Sequence, residues 1–172
     1  CPRGLPTGQA KNWQAGFLPG TYQGTHIDTQ EKRVDRHIAH LRNSRLDRSQ
    51  QDAQIDLLRR MNQRHLEQRG DDAQLESRIH SFELAYRMQR EATDAFDIAR
   101  EPGYVHEAYG TGGGDFARQT LMARRLIERG VRYAQVWQGQ GQPWDDHGDI
   151  LGHRKLAEDC DRPIAAFLDD LK

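Results

Sequence analysis

Apolar side chains recur three or four positions apart through much of residues 31–109, the spacing that places them on one face of a helix. This spacing predicts helices over most of residues 31–109, and residues 102–109 suit one further short helical turn. Glu101 and Pro102 interrupt the third pattern, since a helix usually ends before a proline. The apolar positions are Val34, Ile38 and Leu41; Ile55, Leu58 and Leu66, after a possible cap at Ser49; and Leu75, Ile79, Phe82 and Tyr86, continuing less regularly to Phe96 and Ile98.

The pattern changes after Gly110. GTGGG is followed by Asp115, a predicted helix N-cap, and by a helical pattern that ends at Gly130. Residues 131–137, VRYAQVW, are β-branched and aromatic, as in strands. The final pattern is helical, with Pro163 either kinking the helix or starting a second piece. Its apolar positions are Leu156, Cys160, Ile164, Phe167, Leu168 and Leu171.

The order helix, glycine, strand predicts an α/β fold, because it is the order found in one αβ unit of a parallel sheet. A single strand cannot form a sheet, so the other strands are expected outside this chain or in its first residues. We predict one partial domain over residues 1–172: a loop-rich segment (1–30), a helical section (31–109), and a helix, strand, metal loop and helix (110–172). The opening without Met and the apolar period still running at the last residues suggest an internal piece of a larger protein.

Composition narrows the classes of function. The chain has 172 residues, of which 35% are hydrophobic and 30% are charged, so we expect one domain with a thin core. The net charge of -1 predicts no nucleic-acid partner, and no apolar run is long enough for a transmembrane segment. Cys1 and Cys160 are too few for a disulfide framework, and neither lies in zinc-ligand spacing.

The stretch QPWDDHGDILGH, residues 142–153, follows the predicted strand directly. Functional groups collect in the loops at the carboxyl ends of parallel strands, and carboxylate and imidazole in a D-x-H arrangement suit zinc, manganese or iron. Asp145 and His147 are the best placed, with Asp146, Asp149 and His153 in reserve. The alternative is that these carboxylates begin a helix, where the helix dipole favours them.

Other candidate sites are weaker. GTGGGD lacks a preceding strand and a P-loop lysine, so it predicts a loop and cap, with no phosphate cradle. His26 lies beside Asp28 and near aromatic residues, but a plain loop histidine is the favoured interpretation. No serine lies in a G-x-S-x-G elbow, and neither cysteine has an evident base, so a covalent nucleophile is unsupported. Five more histidines are predicted to be solvated on charged helical faces: His37, His40, His65, His80 and His106.

Several linked segments together resemble the bacterial domain-of-unknown-function 1501 family, over nearly the whole chain. They are GFLPGTYQGTHID, SRIHSFELAYRMQ, EATDAFDIAREP, FARQTLMARRLIERGVRYAQVW and QPWDDHGDILGHRKLAEDCDRPIAAFLDDL. That family is similar to sulfatases and alkaline phosphatases, so the resemblance implies a helix-rich internal portion of an alkaline-phosphatase-like parallel-sheet sandwich. Further metal motifs are then expected before Cys1 and after Lys172.

The resemblance also implies a function. The family's W-D-x-H motif matches Trp144, Asp145 and His147, which makes Asp145 and His147 the expected metal ligands; Asp146 fills its variable place. The implied cofactor is a divalent ion such as zinc, manganese or calcium, and the implied activity is hydrolysis of phosphate or sulfate esters of small molecules or glycans. The implied location is exported, periplasmic or extracellular. Two alternatives stay open: a non-catalytic relative that binds an anion or glycan, and a helical interaction module with Cys1 as a lipid attachment point.

Overall fold

The computed structural model describes residues 7–18, 22–29, 34, 37, 45–69, 79, 83 and 94–172. Within these residues the main elements are helices, and α4 packs on both α2 and α3. No helix among them is long and apolar enough to cross a membrane. The helices are α1 (Arg48–Arg69), α2 (Gly103–Tyr109), α3 (Asp115–Glu128) and α4 (Gly152–Asp170), with 3-10 turns at Gln9–Trp13 and Ile98–Arg100.

Helix α1 begins one residue before the predicted cap, Ser49. Asp47 is the capping residue, since its Oδ1 accepts the backbone N–H of Gln50 at 2.9 Å. The Gln50 Oε1 in turn accepts the backbone N–H of Asp47 at 3.1 Å, which completes a reciprocal capping box. Of the predicted apolar positions of α1, Ile55 is half-buried and Leu58 is 45% exposed, so the described residues cover this face only in part.

The turn between α2 and α3 depends on a glycine and an arginine. Gly110 ends α2 with a φ of 68°, a left-handed conformation that glycine adopts without strain. A Cβ there would also lie 3.1 Å from the Arg162 Cδ. The Arg162 guanidinium donates to the carbonyl oxygens of Glu107 and Ala108, where a cation suits the negative end of the α2 dipole. This contact joins α4 to the end of α2.

The start of α3 differs from the prediction in one detail. Gly114 is the N-cap and makes no side-chain cap hydrogen bond, so the prediction that Asp115 caps the helix was wrong. Asp115 is the first helical residue, where a carboxylate still suits the positive helix end, and it pairs with Arg118 one turn later. The predicted end is confirmed, since the helix closes at Glu128 and Gly130 follows with a φ of 87°.

Two small apolar clusters lie on α3. The first cluster joins α3 to residues 95 and 96, and the second joins it to α2 and α4; the partly buried Ile98 contacts both. The buried members of the first are Ala95, Phe96, Met122 and Leu126, and those of the second are Val105, Tyr109 and Leu121. Helix α3 is therefore the central element of this part of the chain.

A buried arginine ties α3 to the segment before α2. Arg125 is 5% exposed, and its guanidinium donates to the carbonyl oxygens of Ala95 at 3.0 Å and Asp94 at 2.7 Å. It also pairs with the Glu101 carboxylate, which is itself nearly buried and accepts a second hydrogen bond from Arg124 at 3.1 Å. The planar, five-donor guanidinium can satisfy these acceptors together, which a lysine could not.

The prediction of a parallel-sheet sandwich is wrong for the part of the chain that the structure describes. Residues 131–137 form no strand, and within the described ranges the only β-type residue is an isolated bridge at Gly141. Tyr133 is 76% exposed, so no neighbouring strand among the described residues covers it. Strand-like composition does not make a strand without a pairing partner, because most of the β-preference arises from packing against neighbours. The described architecture is helical.

Asp170 couples the end of α4 to α2 and α3. Its Oδ2 accepts hydrogen bonds from the Tyr109 hydroxyl at 2.7 Å and from Arg124 at 3.0 Å. The Tyr109 hydrogen bond, followed by the Arg124 interactions, lowers the pKa of Asp170, although partial burial opposes this. A lowered folded-state pKa contributes stability above the unfolded value of about 3.9, which is lost as the pH falls through the folded pKa.

We expect Asp170→Asn to be less stable than the wild type by about 1 kcal/mol or less at neutral pH, because the carboxylate is partly exposed and screened. Its unfolding free energy should also fall less steeply below about pH 4, where the wild-type carboxylate takes up its proton. Urea unfolding between pH 2.5 and 7 measures both effects. The control is Asp169→Asn, since Asp169 pairs only with the exposed Lys172 among the described residues. Equal pH slopes for the Asp170 variant and the wild type would contradict this role.

Candidate functional site

The loop of residues 138–151 is held against the start of α4. The Trp144 indole N–H donates to the Gln138 side-chain oxygen at 2.8 Å, and the Gln138 amide donates to the Leu156 carbonyl at 2.6 Å. The Trp144 ring also stacks on the His153 ring, with centroids 5.6 Å apart and planes 18° apart. These contacts fix the position of the residue that directly precedes the predicted metal ligands.

Three of the five candidate ligands hold the loop itself. The Asp146 Oδ1 accepts the backbone N–H groups of Gly148 at 2.8 Å and Asp149 at 3.3 Å, and these bonds lower the pKa of Asp146. The Asp149 Oδ1 accepts the Leu151 N–H at 2.9 Å, just before α4 begins. Both nitrogens of His153 lie near carbonyl oxygens, 2.8 Å from that of Trp144 and 3.2 Å from that of Ile150.

These contacts separate the candidates. Asp146 closes a turn, Asp149 caps the approach to α4, and His153, the second residue of α4, braces the loop. The helix-start interpretation therefore describes Asp149 and His153. For each of the three, the hydrogen-bonded atom could bind a metal ion only by giving up a bond that shapes the loop.

Asp145 and His147 are arranged differently. The Asp145 Oδ1 and the His147 Nε2 lie 2.6 Å apart, and the two side chains are 54% and 88% exposed. Among the described residues, neither side chain makes a hydrogen bond to anything but the other. The pair is thus the part of the predicted set that the loop leaves available to a ligand.

The donor types of this pair fit a divalent ion, but the pair is only part of a site. Two ligands about 2.0–2.1 Å from a tetrahedral zinc ion lie about 3.3 Å apart, so the Asp145–His147 hydrogen bond must open before one ion can bind both. Exposure makes that movement inexpensive. Within the described ranges, no three His, Cys, Asp or Glu side chains are grouped as metal ligands would be. Further ligands would have to come from elsewhere.

Two of the five histidines predicted to be solvated are not freely exposed in the structure. His37 is only 7% exposed and meets the Phe96 ring edge-on at 5.9 Å, so the prediction that it is solvated was wrong. His106 is half-buried and its Nδ1 lies 2.8 Å from the Thr111 hydroxyl, so it also is not freely solvated. His65 is exposed on α1, as predicted. His40 and His80 lie outside the described residues.

His26 has a packing role. Its ring stacks on Trp13, with centroids 4.7 Å apart, and burial is the largest cause of its lowered pKa. Among the described residues, His26 belongs to no group of three or more side chains that could hold a metal ion. This arrangement agrees with the loop-histidine interpretation.

An open groove of about 410 Å³ runs between the loop and one face of α4. Trp144 forms its loop side, and Cys160 and Ile164 are among the α4 residues that line it. Charged lining residues on the same helix are Arg154, Glu158 and Asp161. Sequence reasoning missed this groove, although the spacing of those three positions, at i, i+4 and i+7, already places them on one helix face.

Taken together, the described part of the chain is a helical unit that presents an exposed Asp–His pair beside a groove. The chain belongs to the family described as Protein of unknown function (DUF1501), whose model matches residues 1–172. No curated protein and no solved structure matches the chain significantly.

Proposed function

We propose that this chain supplies Asp145 and His147 as two ligands of a divalent metal site in a hydrolase that acts on phosphate or sulfate esters. The observation that carries the proposal is the exposed carboxylate–imidazole pair, 2.6 Å apart, on a loop whose other acidic and histidine side chains are engaged. The resemblance of the segments around it to sulfatase-like and alkaline-phosphatase-like proteins supports the choice of esters. Export from the cytoplasm is part of the same proposal.

A metal ion at this pair would polarise an ester oxygen and lower the pKa of a bound nucleophile. Asp145 contributes a charged oxygen ligand, and His147 contributes a nitrogen ligand through Nε2. Ligand nitrogens must be unprotonated, so metal binding competes with protons and is expected to weaken as the pH falls. Asp146 lies between Asp145 and His147, and its hydrogen bonds to the N–H groups of Gly148 and Asp149 fix the turn that contains His147 and directly follows Asp145.

We expect Asp145→Asn and His147→Gln each to weaken metal binding by about tenfold or more, because loss of even an outer-shell partner costs about 10–100-fold. The full-length protein is loaded with zinc, manganese or calcium, dialysed, and analysed for bound metal. Hydrolysis of an aryl phosphate and an aryl sulfate is measured on the same samples. Matched controls are His65→Gln and Asp169→Asn, which change exposed residues away from the loop.

Unchanged metal content in both loop variants would reject the ligand assignment. Metal loss in the variants, together with no ester cleavage by the wild-type protein, would reject the hydrolase and leave a metal-dependent binding protein.

A further inference from the structure

We propose that the groove between Trp144 and α4 binds a carbohydrate ring, the sugar part of the ester whose phosphate or sulfate group meets the Asp145–His147 pair. The position of the ester group rests on the proposed function, whereas binding of the sugar rests on the groove alone. The groove is open to solvent and has a volume of about 410 Å³.

Trp144 provides a preorganised apolar surface. Its side chain is 46% exposed even though its N–H is bonded to Gln138 and its ring stacks on His153. Trp144 lines the groove, whereas His153, the residue stacked on its ring, does not. A ring fixed in this way loses little conformational entropy on binding, and its flat surface suits the C–H face of a sugar.

The opposite wall supplies acceptors and one cation. Arg154, Glu158 and Asp161 lie on successive turns of α4, and none of them makes a side-chain hydrogen bond or ion pair with another described residue. Carboxylates accept hydrogen bonds only, and sugar hydroxyls donate them. Arg154 can neutralise an anionic ester group or donate to a ring oxygen. The Ile164 side chain, 43% exposed, adds apolar surface at the far end.

The charge pattern favours a sugar over other flat or apolar ligands. A nucleotide base could stack on Trp144, but a base presents fewer hydrogen-bond donors to the carboxylates of Glu158 and Asp161 than the hydroxyl groups of a sugar ring do. An acyl chain would desolvate both carboxylates without replacing their hydrogen bonds to water. A hydroxylated ring satisfies the acceptors and the aromatic surface together.

One residue that lines the groove directly precedes the proposed metal ligands in the chain. Trp144 and Asp145 are consecutive, so their Cα atoms are about 3.8 Å apart. Asp145 and His147 do not themselves line the groove, so the ester substituent of a sugar on Trp144 would have to reach past the Trp144 side chain to meet the metal ion.

The test uses the full-length protein and methyl glycosides of glucose, galactose, mannose, xylose, fucose and N-acetylglucosamine, which carry no ester. Saturation-transfer NMR and tryptophan fluorescence measure binding with EDTA present. We expect at least one glycoside to bind, Trp144→Ala to weaken that binding about tenfold, and Trp144→Phe to retain part of it. Glu158→Gln should weaken it several-fold, whereas the control Glu67→Gln on α1 should not.

Absence of binding by every glycoside, or equal binding by the wild type and Trp144→Ala, would overturn the proposal. Circular dichroism of each variant distinguishes loss of the groove from loss of the fold. Glycoside binding that persists in Asp145→Asn, without any metal binding by the wild type, would retain the sugar site and reject the metal site. Metal binding without glycoside binding would retain the metal site and reject the sugar site.

Discussion

Arg125→Ala is expected to lower the free energy of unfolding by about 3–5 kcal/mol, as expected when one partner of a buried ion pair is removed. The substitution leaves two backbone carbonyl oxygens, those of Asp94 and Ala95, without their guanidinium donors. It also leaves the Glu101 carboxylate, only 10% exposed, with Arg124 as its remaining described partner. Urea unfolding followed by circular dichroism measures the loss.

A second variant separates the contribution of the Arg125 charge to stability from that of its planar geometry, and a third serves as the control. Arg125→Lys keeps the charge but loses the planar fork, so we expect it to recover only part of the lost stability. The control Arg132→Ala removes an exposed arginine close to the end of α3 and should change stability by less than about 0.5 kcal/mol. If Arg125→Ala were as stable as Arg132→Ala, the buried network would contribute no net stability.

Leu121→Ala is expected to cost about 2–5 kcal/mol, the range for buried leucines whose cavity the surroundings do not fill. Leu121 is fully buried, and its cluster includes Val105 and Tyr109 of α2 and the partly buried Phe167 of α4. The substitution therefore weakens the contacts of all three helices at once. Thermal and urea unfolding measure the effect, and amide hydrogen exchange shows whether α4 opens.

The matched control for Leu121 lies on the same helix. Ile127 is 38% exposed, so Ile127→Ala should cost clearly less than Leu121→Ala. Similar costs for the two variants would mean that the α3 face assignment is wrong. The comparison bears on function, because one wall of the proposed sugar groove is formed by α4.

The proposed site has two parts with different degrees of organisation. The groove side is braced by contacts of Trp144 with Gln138 and His153. The metal side, in contrast, is an exposed pair that must move to bind an ion. We therefore expect sugar binding to need little rearrangement, and metal binding to depend on additional ligands that fix Asp145 and His147.

Local chemistry was sufficient to predict several elements. Residues 102–109 were predicted as a short helix and form α2, Gly103–Tyr109. The glycine predicted to end α3, Gly130, lies two residues after its last helical residue, and Asp149 and His153 stand at the start of α4 as their sequence positions suggested. Proline, glycine and capping side chains act within a few residues, so their effects can be predicted from sequence.

Contacts between distant residues could not be predicted in this way. The strand-like composition of residues 131–137 indicated a sheet, but a strand exists only where another segment pairs with it, and none among the described residues does. Likewise, nothing in the neighbours of Arg125 along the chain shows that it meets Glu101, or that Arg162 meets the end of α2.

For the candidate site, the sequence by itself determined the five candidate ligands and favoured Asp145 and His147, and only the tertiary structure decided which of the five side chains the folded loop engages. Asp146, Asp149 and His153 are engaged by backbone groups of the folded loop, which leaves Asp145 and His147 available. The groove beside them likewise exists only because the loop is held against α4. The physical reason is that donor type follows from residue identity, whereas availability depends on which backbone groups the fold brings within hydrogen-bond distance.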